Sequence, residues 1–315
     1  MRDISTKPTS LRTAAAQAVV FCTDETLALI REKKIPKGDP FEFARAAGYF
    51  GAKNTAHIIP HCHPIGIDAM EFEFEPLTEA NMERFCPDAP AYRAGIAIVC
   101  KAKSIGRTGI EIEALTGATV AALTLYDILK PVDTHLELSN IRLQKKTGGK
   151  SDRKQTAEGV TCAVLVCSDT AFAGEKEDAS GELIRRRLTE IHADVVDFSI
   201  VPDDRDAIQN QITEWVEEDV HYIFTTGGTG LGPRDVTVEA VGAMLEKEAW
   251  GIVEAMRMHG QMRTPLAMMS RAVAGSIRGT TIITLPGSPR GASECLDAIL
   301  PAVFHTRLML EGGGH

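Results

Sequence analysis

Apolar positions recur with two different rhythms along this chain of 315 residues, and the change between them divides it. In the first half, Ala69-Met-Glu-Phe-Glu-Phe-Glu75 and Gly95-Ile-Ala-Ile-Val-Cys100 have the period of two that predicts half-buried strands. Asp39 before Pro40 supplies a capping carboxylate and a proline at the first helical position, which predicts a helix over 41–49. Between 111 and 130, Leu115, Ala118, Ala122, Leu125 and Leu129 recur at three and four, the stripe of a long amphipathic helix. Strands that bury one face, with helices gathered on it, predict an α+β sandwich.

The second half alternates strand and helix. Thr161-Cys-Ala-Val-Leu-Val-Cys167 is continuously apolar, as a strand buried on both faces requires, and further strands are predicted over 194–201, 221–226 and 280–285. Helices are predicted from Ser180, Arg205, Val236 and Ala292. This rhythm predicts a three-layer α/β domain on a parallel sheet, with ligands beyond the carboxyl ends of its strands. Between the halves, Lys145-Lys-Thr-Gly-Gly-Lys-Ser-Asp-Arg-Lys-Gln-Thr-Ala-Glu-Gly159 is polar and glycine-containing. We expect domains over 1–152 and 161–311 and a linker over 153–160.

A formal charge of −9 argues against non-specific binding to nucleic acid or an anionic membrane, so any cation cluster must be local. No apolar run is expected to approach the roughly 18 residues of a spanning helix, and the start, Met1-Arg-Asp-Ile-Ser-Thr-Lys, lacks the apolar centre of a secretory signal. The seven cysteines are scattered without a Cys-x-x-Cys pair, which suits a reducing compartment. A cytoplasmic protein is expected.

In the first half, His57, His61, Cys62 and His63 allow three readings: zinc, a structural role, or a phosphate or ribose contact by His63. Zinc is disfavoured because Pro60 interrupts the helix that would align His57 with His61. Asp127 and Lys130 share a helix face, as a surface ion pair or as paired functional groups. Glu111 and Glu113 diverge on a helix or align in a strand, and fit substrate hydrogen bonding better than proton transfer.

With Lys53-Asn-Thr-Ala-His-Ile-Ile-Pro-His-Cys-His63-Pro, the runs Gly109-Ile-Glu111-Ile-Glu113-Ala-Leu-Thr and Leu125-Tyr-Asp127-Ile-Leu-Lys130 resemble cyclic pyranopterin monophosphate synthase (MoaC) over residues 1–149. The resemblance implies a ferredoxin-like α+β sandwich. It implies that a 3′,8-cyclised guanosine triphosphate becomes cyclic pyranopterin monophosphate and pyrophosphate, with no redox cofactor. Asp127 and Lys130 match the catalytic pair, Lys37 and Lys146 match further functional lysines, and Lys53, Arg107 and His63 are expected to meet phosphate or ribose. His61 stands where leucine is usual, and Arg107 where lysine is. Neighbouring cations and partial desolvation are expected to lower the pKa of Lys130 enough for acid/base work.

In the second half, Gly227-Gly228-Thr229-Gly230 follows a strand, where backbone amides approach phosphate. With Pro233-Arg-Asp235-Val-Thr237, Ser168-Asp-Thr, Gly174, Asp178-x-Ser180-Gly181 and Leu285-Pro-Gly-Ser288-Pro-Arg290, it resembles the molybdopterin adenylyltransferase group (MogA/MoaB-like), with Gly232 in place of a usual serine. The resemblance implies that Asp203 and Asp235 hold Mg²⁺ and orient ATP, that the glycine turn, Ser168, Asp178 and Ser180 bind substrate, and that Ser288 and Arg290 bind phosphate. Asp235 has the alternative role of a helix N-cap, and the whole half that of a non-catalytic pterin-binding or assembly module. Both resemblances imply a homo-oligomer, a trimer or hexamer.

Overall fold

The computed structural model describes residues 1–88, 91–149 and 157–313. Two compact units, Met1–Asp152 and Arg153–His315, divide the chain. Positions 153–156 of the expected linker lie outside the described residues.

The first unit runs β1 (Ser10–Phe21), α1 (Asp24–Arg31), α2 (Pro40–Lys53), α3 (Thr55–Ile58), β2 (Ala69–Pro76), α4 (Glu79–Phe85), β3 (Gly95–Gly106), α5 (Glu111–Leu129), β4 (Glu137–Thr147). Its sheet is antiparallel in the order β2-β3-β1-β4, the strand order of a ferredoxin-like sandwich. β1 had no expectation attached to it because it does not alternate: Ala18 and Val20 enter the core beneath α5, while Val19 and Phe21 enter a second core with Leu77, Met82 and Phe85. A strand buried on both faces leaves no period of two. β4 was missed for the opposite reason, since Glu-Leu-Ser-Asn-Ile-Arg-Leu-Gln-Lys-Lys-Thr is a polar edge strand whose pairing with β1 shifts register twice.

Asp39 caps α2 through Phe41 and Glu42 amides, with Pro40 at its start, as its sequence predicts. α2 lies close on α5 because Gly48 and Gly51 present no side chain: a Cβ at Gly48 would crowd Phe72, and one at Gly51 would crowd Val120. Forcing a methyl into either site costs about 1–3 kcal/mol. The expectation about apolar runs is corrected at α5, whose 19 residues are long and apolar enough to cross a bilayer. Its Ala, Leu, Ile and Val content raises the hydropathy, and one face is buried against β1, β3 and α2.

The second unit runs β5 (Thr161–Cys167), α6 (Asp169–Phe172), α7 (Ala179–Thr189), β6 (Asp194–Val201), α8 (Arg205–Glu217), β7 (Tyr222–Thr226), α9 (Thr237–Gly242), β8 (Lys247–Glu248), α10 (Trp250–Gln261), β9 (Ala274–Ile277), β10 (Thr280–Leu285), α11 (Pro289–Ile299) and α12 (Thr306–Leu310). Its sheet order is β6-β5-β7-β10-β9-β8. The first four strands are parallel, as expected, and β9 and β8 add an antiparallel edge. Apolar cores cover both faces, giving three layers. The segments leaving the carboxyl ends of β5, β6, β7 and β10 carry Ser168, Asp203, Gly227 and Ser288 respectively.

Candidate active sites

In the first unit the expected residues form two clusters at opposite ends of α5. At the carboxyl end, Asp127 is gripped by two lysines: Lys130 Nζ lies 2.7 Å from Oδ1, and Lys37 Nζ lies 2.9 Å from Oδ2 while donating to the Asp127 carbonyl at 2.7 Å. Hydrogen bonds from Lys130 and Lys37 hold the Asp127 carboxyl down at about 2. The same bond raises the pKa of Lys130, which corrects the expectation of a lowered one. The nearest charge is a carboxylate, and the amine is exposed rather than desolvated.

At the amino end, Lys146 Nζ lies 3.1 Å from Glu111 Oε1, and Cys62 Sγ donates to Glu113 Oε1 at 3.3 Å. The two glutamates diverge on the first turn of the helix. Glu113 is buried, its Oε2 has no hydrogen-bond partner, and desolvation raises its pKa. Burial, then the hydrogen bond to Glu113, pushes the Cys62 thiol up to about 11. The sequence marks Cys62 only as a zinc candidate, and its place beside Glu113 is a tertiary fact. Arg107 sits between β3 and α5, and Lys53 ends α2. His63 is half-buried next to Cys62, while His57 and His61 are exposed.

In the second unit, the turn 227–232 folds around the Asp235 carboxylate. The Gly232 amide donates to Asp235 Oδ2 at 2.7 Å, and a Cβ at Gly230 or Gly232 would press on the same oxygen. Gly227 has φ +95°, and a Cβ there would overlap the Cys167 carbonyl. Only glycine fits that position. Thr229 is buried. The N-cap alternative for Asp235 is corrected: α9 starts at Thr237, its capping residue is Val236 with no side-chain cap, and the Asp235 carboxylate faces back into the turn.

Asp203 faces the turn from the adjacent loop. Its Oδ2 accepts the Asp169 amide at 3.2 Å, while Asp169 Oδ1 accepts the Asp203 amide at 3.0 Å. Asp203 Oδ1 is buried without a partner, close to Gly228. Burial raises the Asp203 pKa, the Asp169 amide offsets part of this, and the charges of Asp169 and Asp235 raise it further. An orphaned carboxylate oxygen with a second carboxylate near it suits a hard cation. Among the described residues no three His, Cys, Asp or Glu side chains gather as a metal site, so phosphate and water oxygens would complete the shell.

The remaining expected residues serve helix starts. Asp178 caps α7 and accepts the Ser180 hydroxyl at 2.8 Å; Ser168 caps α6; Ser288 caps α11. Arg290 pairs with Glu294 at 2.9 Å and is exposed. Beside Ser288 and Arg290 opens a cavity of about 290 Å³ with apolar walls that include Met256, Leu266 and Pro286. Two arginines without an assigned role also reach the turn. Arg271 donates to the carbonyls of Gly230 and Asp235, and Arg234 pairs with Asp169. Arg234 belongs to the Pro233-Arg-Asp235-Val-Thr237 motif. Arg271 carried no sequence signal.

Residues 1–149 match the MoaC family and residues 163–305 match the probable molybdopterin binding domain. A "Molybdenum cofactor biosynthesis bifunctional protein" of Chlorobaculum tepidum is 37% identical over 315 residues, covering 100% of this chain and 96% of the relative. Another of that name, from Synechococcus elongatus, is 34% identical over 327 residues, covering 100% and 98%. A "Cyclic pyranopterin monophosphate synthase" of Syntrophomonas wolfei is 42% identical over 151 residues, covering 48% of this chain and 88% of its own. Matched from end to end by the first two, the chain belongs to the family of molybdenum cofactor biosynthesis bifunctional proteins.

Proposed function

We propose that the chain carries two active sites of molybdenum cofactor assembly, a cyclic pyranopterin monophosphate synthase in the first unit and a molybdopterin adenylyltransferase in the second. For the first, the carrying observation is the Lys37–Asp127–Lys130 group. Both amines bring positive charge to a guanine-derived triphosphate. Lys130, with its pKa raised, begins protonated and acts first as a general acid. Lys146, Lys53, Arg107 and His63 bind phosphate or ribose, and Glu111 and Glu113 accept hydrogen bonds from the base.

Those two groups are too far apart on one chain to meet one substrate. Completing each site therefore takes the carboxyl-end group of one subunit and the amino-end group of another. The outer faces of α2 and α5 support this, exposing Phe43, Phe50, Leu123 and Tyr126. We assign a homo-oligomer, a trimer or hexamer, on this ground.

For the second unit, the carrying observation is the unpaired Asp203 Oδ1 beside the turn that encloses Asp235. Asp203 and Asp235 would hold Mg²⁺, which when bound neutralises charge on the nucleotide phosphates. The glycine turn orients the phosphates through its amides, and Ser288 and Arg290 hold the pterin phosphate next to the apolar cavity. A pterin phosphate oxygen forms a bond to the α-phosphorus of ATP as the bond to the β-phosphate bridge breaks, and pyrophosphate leaves. Incubation of the purified chain with molybdopterin, ATP and Mg²⁺ should yield an adenylylated pterin. Pterin binding without that product would make the second unit a binding or assembly module instead.

A further inference from the structure

The two arginines at the glycine turn are held in different ways. Arg271 donates from Nε to the Gly230 carbonyl at 2.8 Å and from Nη2 to the Asp235 carbonyl at 3.1 Å, and pairs with Glu239. Anchored at three points on the turn and α9, it is a strut. Arg234 reaches one carboxylate, Asp169, with Nε at 3.0 Å and Nη2 on the same oxygen. Its side chain is 69% exposed.

The Arg234–Asp169 pair spans from the turn after β7 to the loop after β5. Arg234 adjoins Asp235, and Asp169 exchanges backbone hydrogen bonds with Asp203. The pair thus lies across the mouth between the two carboxylates assigned to the nucleotide. An exposed ion pair contributes little to stability, so opening it is easy. A polyphosphate offers the guanidinium fork more negative charge and a bidentate fit, where Asp169 offers it one oxygen. Asp169 keeps its other oxygen on the Asp203 amide, so it stays in place when the arginine leaves.

We propose that Arg234 is a substrate-binding residue that releases Asp169 and takes the terminal phosphates of a nucleoside triphosphate, with Asp169 as its resting counter-ion. The inference rests on the adenylylation reading above. The terminal phosphates are the group that departs, so a guanidinium there also offsets charge building on the leaving group.

The test uses the full chain, with Arg234→Ala, Arg234→Lys and Asp169→Asn, and titrates a non-cleavable α,β-methylene analogue of ATP with Mg²⁺ by calorimetry, alongside molybdopterin binding. Arg234→Ala should weaken the analogue about ten-fold or more while pterin affinity stays within about two-fold, and Arg234→Lys should fall between. Asp169→Asn frees the arginine and should tighten the analogue by about two- to five-fold. The inference is overturned by Arg234→Ala binding the analogue as wild type does, by equal losses for analogue and pterin, or by Asp169→Asn weakening the analogue as Arg234→Ala does. A wild-type chain that binds no analogue overturns the adenylylation reading and this inference together, whereas normal wild-type binding with an unaffected Arg234→Ala overturns this inference alone.

Discussion

Glu111 and Asp127 stand at opposite ends of one helix, sixteen residues apart on α5, which at the helical rise is about 24 Å. Glu111 holds Lys146, and Asp127 holds Lys37 and Lys130. A nucleotide triphosphate bound at one end leaves the other end unused, unless a second subunit brings its opposite end alongside.

Mixing two inactive variants tests this directly. Lys130→Ala breaks the carboxyl-end group and Lys146→Ala the amino-end group, and each alone should abolish cyclic pyranopterin formation. When the two are mixed with subunit exchange, a random assembly of pairwise-shared sites leaves about a quarter of them with both halves intact. Recovery of roughly that share of wild-type turnover is expected, and no recovery in mixed oligomers confirmed by mass would rule out the shared site.

The same lysine variants should spare the second unit, because its assigned groups all lie beyond residue 160. Cleavage near residue 155 should likewise release two folded fragments, each keeping its own activity. Each unit has its own apolar core. Circular dichroism of the separated fragments checks this; a fragment that unfolds would place the boundary elsewhere.

What was legible in the sequence follows from how locally each feature is encoded. The α2 cap, the α5 stripe and the glycine turn are set by neighbours in sequence, and the structure shows each of them. β1 and β4 were illegible, one because both of its faces are buried, the other because it is a polar edge. Charge environments were less legible still. The Asp127–Lys130 pairing is legible from its spacing, but its effect is not: neighbouring cations were expected to lower the pKa of Lys130, and the Asp127 carboxylate raises it. Asp235 also allowed a reading as a helix cap, because the local bond from the Gly232 amide that turns its carboxylate away from α9 leaves no periodic trace in the sequence. Arg271 comes from a segment between α10 and β9 with no recognisable motif and meets the turn only in the folded domain.

Glu113 should impose a pH dependence on the first unit. Its pKa is raised in the folded state, so its contribution to stability is fully present below the ordinary carboxylate range and is lost as pH rises through the raised value. Glu113→Gln removes the buried charge while keeping the shape. Its melting temperature should match wild type in acid and exceed it at neutral pH, measured by thermal denaturation of the intact chain across that range. A variant less stable than wild type at neutral pH would mean that the carboxylate is held charged by partners, contrary to its orphaned Oε2.

Asp235 makes separable contributions to the turn and to the metal, and two substitutions distinguish them. Its Oδ2 accepts the Gly232 amide, and an asparagine oxygen can accept the same bond while lacking the charge a cation needs. Asp235→Asn should therefore keep the turn and the pterin affinity, within about two-fold, yet lower the Mg²⁺-dependent adenylylation rate by about 10²–10³-fold, the usual cost of losing one charged group at a phosphoryl transition state. Asp235→Ala loses the bond as well. It should match the asparagine variant in rate and add faster hydrogen exchange at the amides of 228–235, since the Gly232 amide then loses its acceptor inside the turn. If Asp235→Asn retains most of the wild-type rate while Asp235→Ala does not, the carboxylate charge is unused, and Asp235 shapes the turn without holding a metal.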